Sequence, residues 1–398
     1  MKKYILIAFV LSSVACSNKK EPTTDLVVDN FAFASDQLTL ALETIGDSKL
    51  NPRNTEEDGS LRLVKSKDWT SGFFPGNLWY LYEYTKDEKW KIAAEKYTAN
   101  LEDQQWNGAT HDMGFKMYCS YGNGLRLTNS PSYRDILLQS AKTLITRFNP
   151  KVGCLRSWDH HADQWQFPVI IDNMMNLELL FWATKATGDS TFYDIAISHA
   201  ETTMKNHFRE DNSSYHVINY DTLTGEVLDK HTHQGHAHES AWSRGQAWGL
   251  YGYTMVYRET GDKRFLDQAM KIAAYMLNHP NMPEDLVPYW DYNAPAIPNE
   301  PRDAAAAAVM ASGLYELSAF APEKKQEYLA AADKVIESLS SPAYRAKIGE
   351  NNNFLLMHST GSKPHNSEID VPIVYADYYF LEANLRRLAE KEVNTDEE

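Results

Sequence analysis

Cysteine is scarce: the 398 residues hold three, Cys16, Cys119 and Cys154. With Cys16 set apart for reasons given below, one disulfide is possible but no disulfide framework can organise the fold. Positive charge is in deficit, 39 basic against 54 acidic residues and a formal charge of −15. That balance argues against nucleic acid as a partner, and an acidic substrate would need local cations working against a repulsive field. No stretch beyond the N-terminus is long and apolar enough for a transmembrane helix. Segments rich in alternating Val, Ile and Thr are few, so a sheet core is not expected. Nor does a Pro-, Gly- or Ser-rich linker or a charge block divide the chain, which therefore reads as one domain.

What is present at the N-terminus points to export. Lys2 and Lys3 form a basic region, Ile5 to Val10 a short apolar core, and Ser13-Val14-Ala15 stand directly before Cys16. This is the pattern of a bacterial lipoprotein signal, in which the cysteine is acylated and becomes the new N-terminus. An ordinary secretory signal with a chance cysteine is the plainer alternative. The expected organisation is a signal over 1–16, a polar tether over 17–30, one catalytic domain over 31–388 and a frayed acidic tail over 389–398. Ser17 and Asn18 carry no obvious inner-membrane retention signal, so an outer-membrane anchor, facing periplasm or exterior, is expected.

An internal repeat sets the fold class. Thr85-Lys86-Asp87-Glu88-Lys89-Trp90 aligns with Thr187-Gly188-Asp189-Ser190-Thr191-Phe192 and with Thr260-Gly261-Asp262-Lys263-Arg264-Phe265. Thr128 to Tyr133 and Ala321 to Tyr328 are degenerate copies. Each follows an apolar helical run and precedes another, and Gly and Asp are the residues that end one helix and cap the next. The unit is a helical hairpin, and the length accommodates about six, counting a half-pair at Tyr378 to Leu388. Such hairpins can close into an (α/α)6 toroid or stay open as a solenoid. Connections of uneven length favour an all-α toroid whose loops build a pocket.

The unusual segments lie in the connections opposite the repeated turns. They are Trp69 to Gly76, His111-Asp112-Met113-Gly114-Phe115, Ile171 to Leu177 with Trp158 before it, Thr232-His233-Gln234-Gly235 with Ser243 to Trp248, and Ser359 to Pro364. This places Asp112, Asp172, Arg244 and Trp248 near helix N-termini on one rim. Paired carboxylates perturb each other, and one can then serve as general acid. Alone, either aspartate could be a helix cap, Arg244 a structural ion pair and Trp248 core. Aromatic content is 12%, with ten tryptophans, and Trp69 and Trp158 sit in settings suited to stacking on sugars. His231, His233, His236 and His238 invite a metal reading, but no Cys is adjacent and the spacing is not i, i+4. Solvated or substrate-facing imidazoles are expected instead, with no metal and no cofactor.

Taken together, His111 to Phe115, Ile171-Asp172-Asn173-Met174-Met175-Asn176-Leu177 and Ser240 to Gly249 resemble the unsaturated glucuronyl hydrolases of glycoside hydrolase family 88. The resemblance covers nearly the whole chain after the tether and implies an (α/α)6 toroid. It implies hydration of the C4=C5 enol ether that a lyase leaves at a non-reducing end, so the carboxylate-separation rule for other glycosidases does not apply. By the resemblance Asp172 protonates C4 and helps water add at C5, while Asp112 positions the sugar and tunes Asp172. His216, Thr232, His233, Gln234, Arg244 and Trp248 match positions that hold the unsaturated uronate, and Trp69 and Trp158 would stack on sugar faces. Arg244 offers the planar fork best suited to a carboxylate. Some relatives contact a sulfate through two serines three apart and a nearby lysine. Ser359 and Ser362 keep that spacing, whereas Lys363 follows one position too early.

Glycosaminoglycan fragments are thus the expected substrates, with a plant or algal uronide as the alternative. Two other readings stay open on sequence alone. One is a related toroid enzyme, either an unsaturated rhamnogalacturonyl or ulvan-type hydrolase or a uronate lyase using His216 or His233 as base. The other is a non-catalytic glycan-binding lipoprotein.

Overall fold

The computed structural model describes residues 25–396; Cys16, the signal and most of the expected tether lie outside them. Twelve α-helices are described, in chain order α1 (Leu26–Ile45), α2 (Phe73–Thr85), α3 (Glu88–Ala99), α4 (Asn123–Thr128), α5 (Pro131–Ile145), α6 (Leu177–Thr187), α7 (Ser190–Asn206), α8 (Ser243–Thr260), α9 (Lys263–Asn278), α10 (Ala304–Phe320), α11 (Lys325–Leu339) and α12 (Val374–Asp396). The even-numbered helices from α2 to α12 form a closed inner ring in which neighbours pack together, α4 meeting α6 through the π-helical stretch Gly114–Gly122 that precedes it, and α12 returns to α2. The odd-numbered helices form the outer layer. The result is the six-hairpin (α/α)6 toroid expected from the repeats.

Position in the ring decides composition. Inner helices touch protein on every side, so α8 is buried from Ser243 to Val256 and α10 from Ala304 to Leu314. The run Ala304 to Ala308 lets neighbouring inner helices approach closely. Outer helices bury one stripe only: in α9 it is Phe265, Leu266, Gln268, Ala269, Ile272, Ala273 and Met276, the 3.6-residue period of a half-covered helix.

The repeated turns are alike in detail. Lys86, Gly188 and Gly261 take the left-handed conformation that ends the inner helix. Asp87, Asp189 and Asp262 then cap the outer helix, each carboxylate accepting an N–H from two residues ahead. The preceding threonine hydroxyl accepts the aspartate's own N–H in all three, which is why Thr recurs. Each cap contributes on the order of 1 kcal/mol.

Two boundaries differ from expectation. The half-pair at Tyr378 to Leu388 is completed by α1, which packs on α12 and begins at Leu26, within the stretch read as tether. Its cap is Asp25, whose carboxylate accepts the Val27 N–H. At the other end α12 continues to Asp396 through the stretch read as frayed tail, with Glu390 paired to Lys325 at 3.3 Å.

Among the described residues strands occur only in the connections on the rim opposite the repeated turns. They form small antiparallel sheets: β1 (Asn51–Thr55) with β2 (Leu61–Val64), β3 (Phe148–Asn149) with β4 (Cys154–Leu155), β5 (Pro168–Ile170) with β6 (Val217–Tyr220) and β7 (Val227–His231), and β8 (Ser359–Ser362) with β9 (Ser367–Val371). The core is helical, as the shortage of alternating segments implied. Cys119 and Cys154 are both free thiols.

Candidate active site

The five unusual segments converge on the strand-bearing rim. Asp112 stands just before a π-helical stretch, Gly114–Gly122, that leads into α4. Asp172 lies in a 3-10 turn, Ile171–Asn176, that leads into α6. π-Helical segments are rare and concentrate at functional sites. The two turns are pressed together at Gly114: a Cβ there would come within 2.6 Å of the Asn176 Cα, and the Phe115 N–H donates to Asn176 Oδ1 at 3.1 Å. Only glycine permits that approach.

Neither carboxylate is occupied as a helix cap, because neither turn has a side-chain cap. Asp112 accepts from the Thr110 hydroxyl at 2.5 Å and lies 3.2 Å from His111 Nε2. His111 is buried, and burial holds its imidazole below the ordinary range against the pull of Asp112 and Asp172. Asp172 is 7% exposed, and its Oδ2 has no hydrogen-bond partner. His216 Nε2 lies 3.5 Å from it.

The His216 tautomer follows from its other nitrogen. Nδ1 accepts the backbone N–H groups of His233 and Gln234, both at 3.1 Å. A nitrogen accepting two N–H bonds carries no proton, so in the neutral ring the proton sits on Nε2, 3.5 Å from Asp172 Oδ2 and not hydrogen-bonded to it. β6 and the loop after β7 thus fix the ring beside the carboxylate. The same loop is tightened by Thr232, whose hydroxyl accepts the Gly235 N–H at 2.7 Å. Gln234 spends its amide N–H on the Gly361 carbonyl at 2.9 Å, joining this loop to β8.

Trp158 reaches the site through an isolated β-bridge to Thr110, so the residue that holds Asp112 also holds the half-buried indole. Trp69 is half-buried too, against Phe115 at 5.4 Å and Tyr375 at 5.0 Å. Both keep surface free for a ligand. Trp248 does not: it is fully buried, packed on Phe115 at 5.2 Å and Tyr379 at 5.4 Å, and supports the site from within the core.

Arg244 departs most from its expected role. It is 1% exposed and ion-paired with the fully buried Asp303. It also donates to the Thr360 and Gly361 carbonyls, each at 2.6 Å, and lies over Trp242 at 4.5 Å. Burial works against its charge, but Asp303 holds it protonated. Three of its five donors are therefore spent tying α8 to α10 and β8, rather than standing open to a carboxylate. What remains without a protein partner is Nε and one hydrogen on Nη2, one edge of the fork.

The Ser359, Ser362 and Lys363 set is not offered as a free trio. Ser359 is fully buried, Ser362 Oγ is bonded to His365 Nδ1 at 2.7 Å, and Lys363 is ion-paired with Glu300. The reason is that β8 runs inward beneath the rim while Glu300, itself buried, draws the lysine back. Of the four-histidine run, His231 pairs with Asp229 at 2.5 Å, and His238 Nδ1 accepts the Thr232 N–H at 3.1 Å. No group of three or more His, Cys, Asp or Glu among the described residues is placed to hold a metal ion.

Sequence reasoning missed Asp303, Thr110, His160, His161 and His365. Asp303 carried a usable signal, an aspartate directly before an alanine run that starts an inner helix on this rim. The others lie in loops whose convergence depends on the sheets.

Comparison with known proteins agrees with this geometry. The family model described as Glycosyl Hydrolase Family 88 matches residues 43–386. An unsaturated glucuronyl hydrolase of Formosa agariphila is 54% identical over 325 residues, 81% of this chain and 81% of that one. A crystal structure of an unsaturated glucuronyl hydrolase specific for heparin superposes with a TM-score of 0.90 at 50% identity, covering 92% of this chain and 98% of the other. An enzyme of that name from Streptococcus agalactiae, an Asp-to-Asn variant complexed with dGlcA-GalNAc6S, gives 0.78 at 29% identity over 91% of each chain. With this fold, these paired carboxylates and a match over most of its length, the chain belongs to glycosyl hydrolase family 88.

Proposed function

We propose that this chain removes the Δ4,5-unsaturated uronic acid from the non-reducing end of lyase-generated oligosaccharides, acting on glycosaminoglycan disaccharides. The observation that carries the reading is the pairing of Asp172 and Asp112 on adjoining turns, with Asp172 facing the site beside a histidine of fixed tautomer.

The chemistry follows from these groups. Asp172 delivers a proton to C4, and the positive charge develops at C5, where the ring oxygen shares it. The Asp172 carboxylate so formed takes a proton from water as the water oxygen bonds to C5. The resulting hemiketal opens to a C5 ketone, leaving a hemiacetal at C1 that expels the neighbouring sugar. One water is consumed and Asp172 ends as it began. His216 stands beside the carboxyl, its Nε2 3.5 Å away, and proton transfer by a positioned acid such as Asp172 is worth about 10²–10⁴-fold. Asp112, held by Thr110, orients the sugar, with the indoles of Trp158 and Trp69 as platforms. The donors that Arg244 keeps without a protein partner, on Nε and Nη2, suit the uronate carboxylate.

A Cys16 lipid anchor and an outer-membrane location belong to the same reading and rest on the N-terminal sequence. Acylation of Cys16 by mass spectrometry and membrane fractionation test them. For the activity, the enol-ether ultraviolet absorbance of unsaturated disaccharides is followed with the parent chain and Asp172→Asn. A fall that the variant abolishes supports hydration; a rise on intact polysaccharide indicates a lyase; no change with either refutes the reading.

A further inference from the structure

The end of the toroid away from Asp112 and Asp172 is not filled. The last turns of α2, α4 and α6 surround a cavity of about 700 Å³, with Glu83, Arg126 and Ala186 at its mouth. It runs inward to Gly114, Phe115 and Met175. Neither reacting carboxyl lines it, nor do Trp69, Trp158 and His216. A layer of aromatic rings separates the two ends. Phe115 packs on Trp69 at 5.4 Å, on Phe73 at 5.5 Å and on Trp248 at 5.2 Å, and Trp248 meets Tyr379 at 5.4 Å. The cavity is a separate compartment, in the size class of small-molecule sites.

The lining selects a class of ligand. Three carboxylates, Glu83, Glu178 and Glu382, face three guanidiniums, Arg126, Arg134 and Arg386. Each acid already has a base. Glu83 takes both ends of the Arg126 fork at 2.5 Å, Glu178 pairs with Arg258, and Glu382 lies 3.8 Å from Arg386. The charges balance, so the wall offers no net attraction to a phosphate, a sulfate or a metal cation. A paired carboxylate still accepts from hydroxyls and a paired guanidinium still donates, because each has more sites than one partner fills. Aromatic surfaces stand between these groups. Trp182 and Tyr118 are half-buried, their ring centroids 6.4 Å apart, and the Tyr118 and Tyr379 hydroxyls bond to no protein group among the described residues. Rings that stack, carboxylates that accept and guanidiniums that donate together hold a polyhydroxylated ring that carries no charge. We propose that this cavity is a second binding site, for an uncharged mono- or disaccharide. The site stands on its own groups and does not require the reaction proposed above.

The inner wall of this site is the underside of the reacting turns. The π-helical stretch Gly114–Gly122 contributes Phe115, Tyr118 and Cys119 to it, and Asp112 stands two residues before that stretch. Met175 belongs to the turn that carries Asp172. A sugar seated in the cavity packs against both turns from beneath. Its binding adds contacts that exist only in the folded chain, and so stabilises the fold in proportion to occupancy.

The test uses the full chain with two uncharged sugars, glucose and N-acetylgalactosamine, and two charged ones, glucuronate and protonated glucosamine. Saturation-transfer NMR is run on Asp172→Asn with and without saturating unsaturated disaccharide, which keeps the catalytic end occupied. The uncharged sugars should bind with Kd of about 1–10 mM under both conditions, and the charged ones at least about fivefold more weakly. Trp182→Ala and Glu83→Gln should each weaken that binding about three- to tenfold, the worth of one stacking contact or hydrogen bond. Without added sugar, their kcat and KM on the unsaturated disaccharide should stay within about twofold of the parent. An uncharged sugar at about ten times its Kd should raise Tm of the parent and not of the double variant. No binding of either uncharged sugar, binding that disappears when the disaccharide is added, binding unmoved by the double variant, or charged sugars held as tightly as uncharged ones overturns the inference. Failure of the hydrolase reading shows separately, as no turnover by the parent, and leaves the binding of sugar alone to decide the site.

Discussion

Asp303 gives the sharpest stability prediction. It is fully buried and Arg244 is 1% exposed, so removing the carboxylate strands a cation in a low-dielectric interior. Breaking a buried pair in this way costs about 3–5 kcal/mol. Asp303 also accepts the Ala306 N–H at 3.3 Å at the start of α10, a cap worth about 1 kcal/mol. Asp303→Asn keeps an oxygen for the cap and loses only the charge, so it should cost about 3 kcal/mol. Asp303→Ala loses both, about 4–5 kcal/mol. Arg244→Met with Asp303→Leu removes both charges and should cost less than the sum of the single changes by at least about 1 kcal/mol. Denaturant unfolding of these variants, with Arg244→Met and Asp303→Leu each alone, against the parent measures each figure. Asp303→Asn within about 1 kcal/mol of the parent, or strict additivity in the double variant, would refute the view that this pair holds α8, α10 and β8 together.

Other outcomes follow from the same structure. His199 and His207 are buried and pushed down to about 3, chiefly by burial. Their folded pKa lies below the unfolded value, so the stability they lend is full above about pH 6.5 and is lost as pH falls toward 3. At pH 5 that is about 2 kcal/mol each, and His199→Gln should shrink the difference in denaturation midpoint between pH 7 and 5. His216→Ala should lower kcat about 10–100-fold and change the kcat–pH profile, while a profile of parental shape would deny it a role beside Asp172. Cys119 and Cys154 are free and burial raises both thiols. Reductant should therefore leave Tm unchanged, and a thiol reagent should not label the buried Cys154 until the chain is unfolded.

How legible this protein is from sequence depends on how local each determinant is. The Thr-x-Asp turns were readable because cap and left-handed end lie within a few residues. Asp112 and Asp172 were readable because each sits in an unusual segment before an inner helix. Ring closure was not: α1 meets α12 across the full length of the chain, and nothing in Leu26 to Ile45 names its partner. Arg244 had the right type and position for a ligand, yet the acid that occupies it lies 59 residues on. Lys363 was likewise claimed by Glu300, a pairing set by how β8 enters the rim. His160, His161, His233 and His365 come together because the loops after β4, β7 and β8 converge on the rim, and short strands in connections leave little trace in sequence.

The most direct test of the central claim follows the atoms. The full chain is incubated with an unsaturated disaccharide in heavy water enriched in 18O, and the sugar released at early times is examined by mass spectrometry and NMR. Protonation of C4 by Asp172, which exchanges its proton with solvent, predicts one deuteron bound to C4 of the released keto sugar, and none with Asp172→Asn. Early release of a still-unsaturated uronate, with solvent oxygen at its anomeric carbon and no deuterium at C4, would mean direct hydrolysis of the glycosidic bond, and would contradict the account.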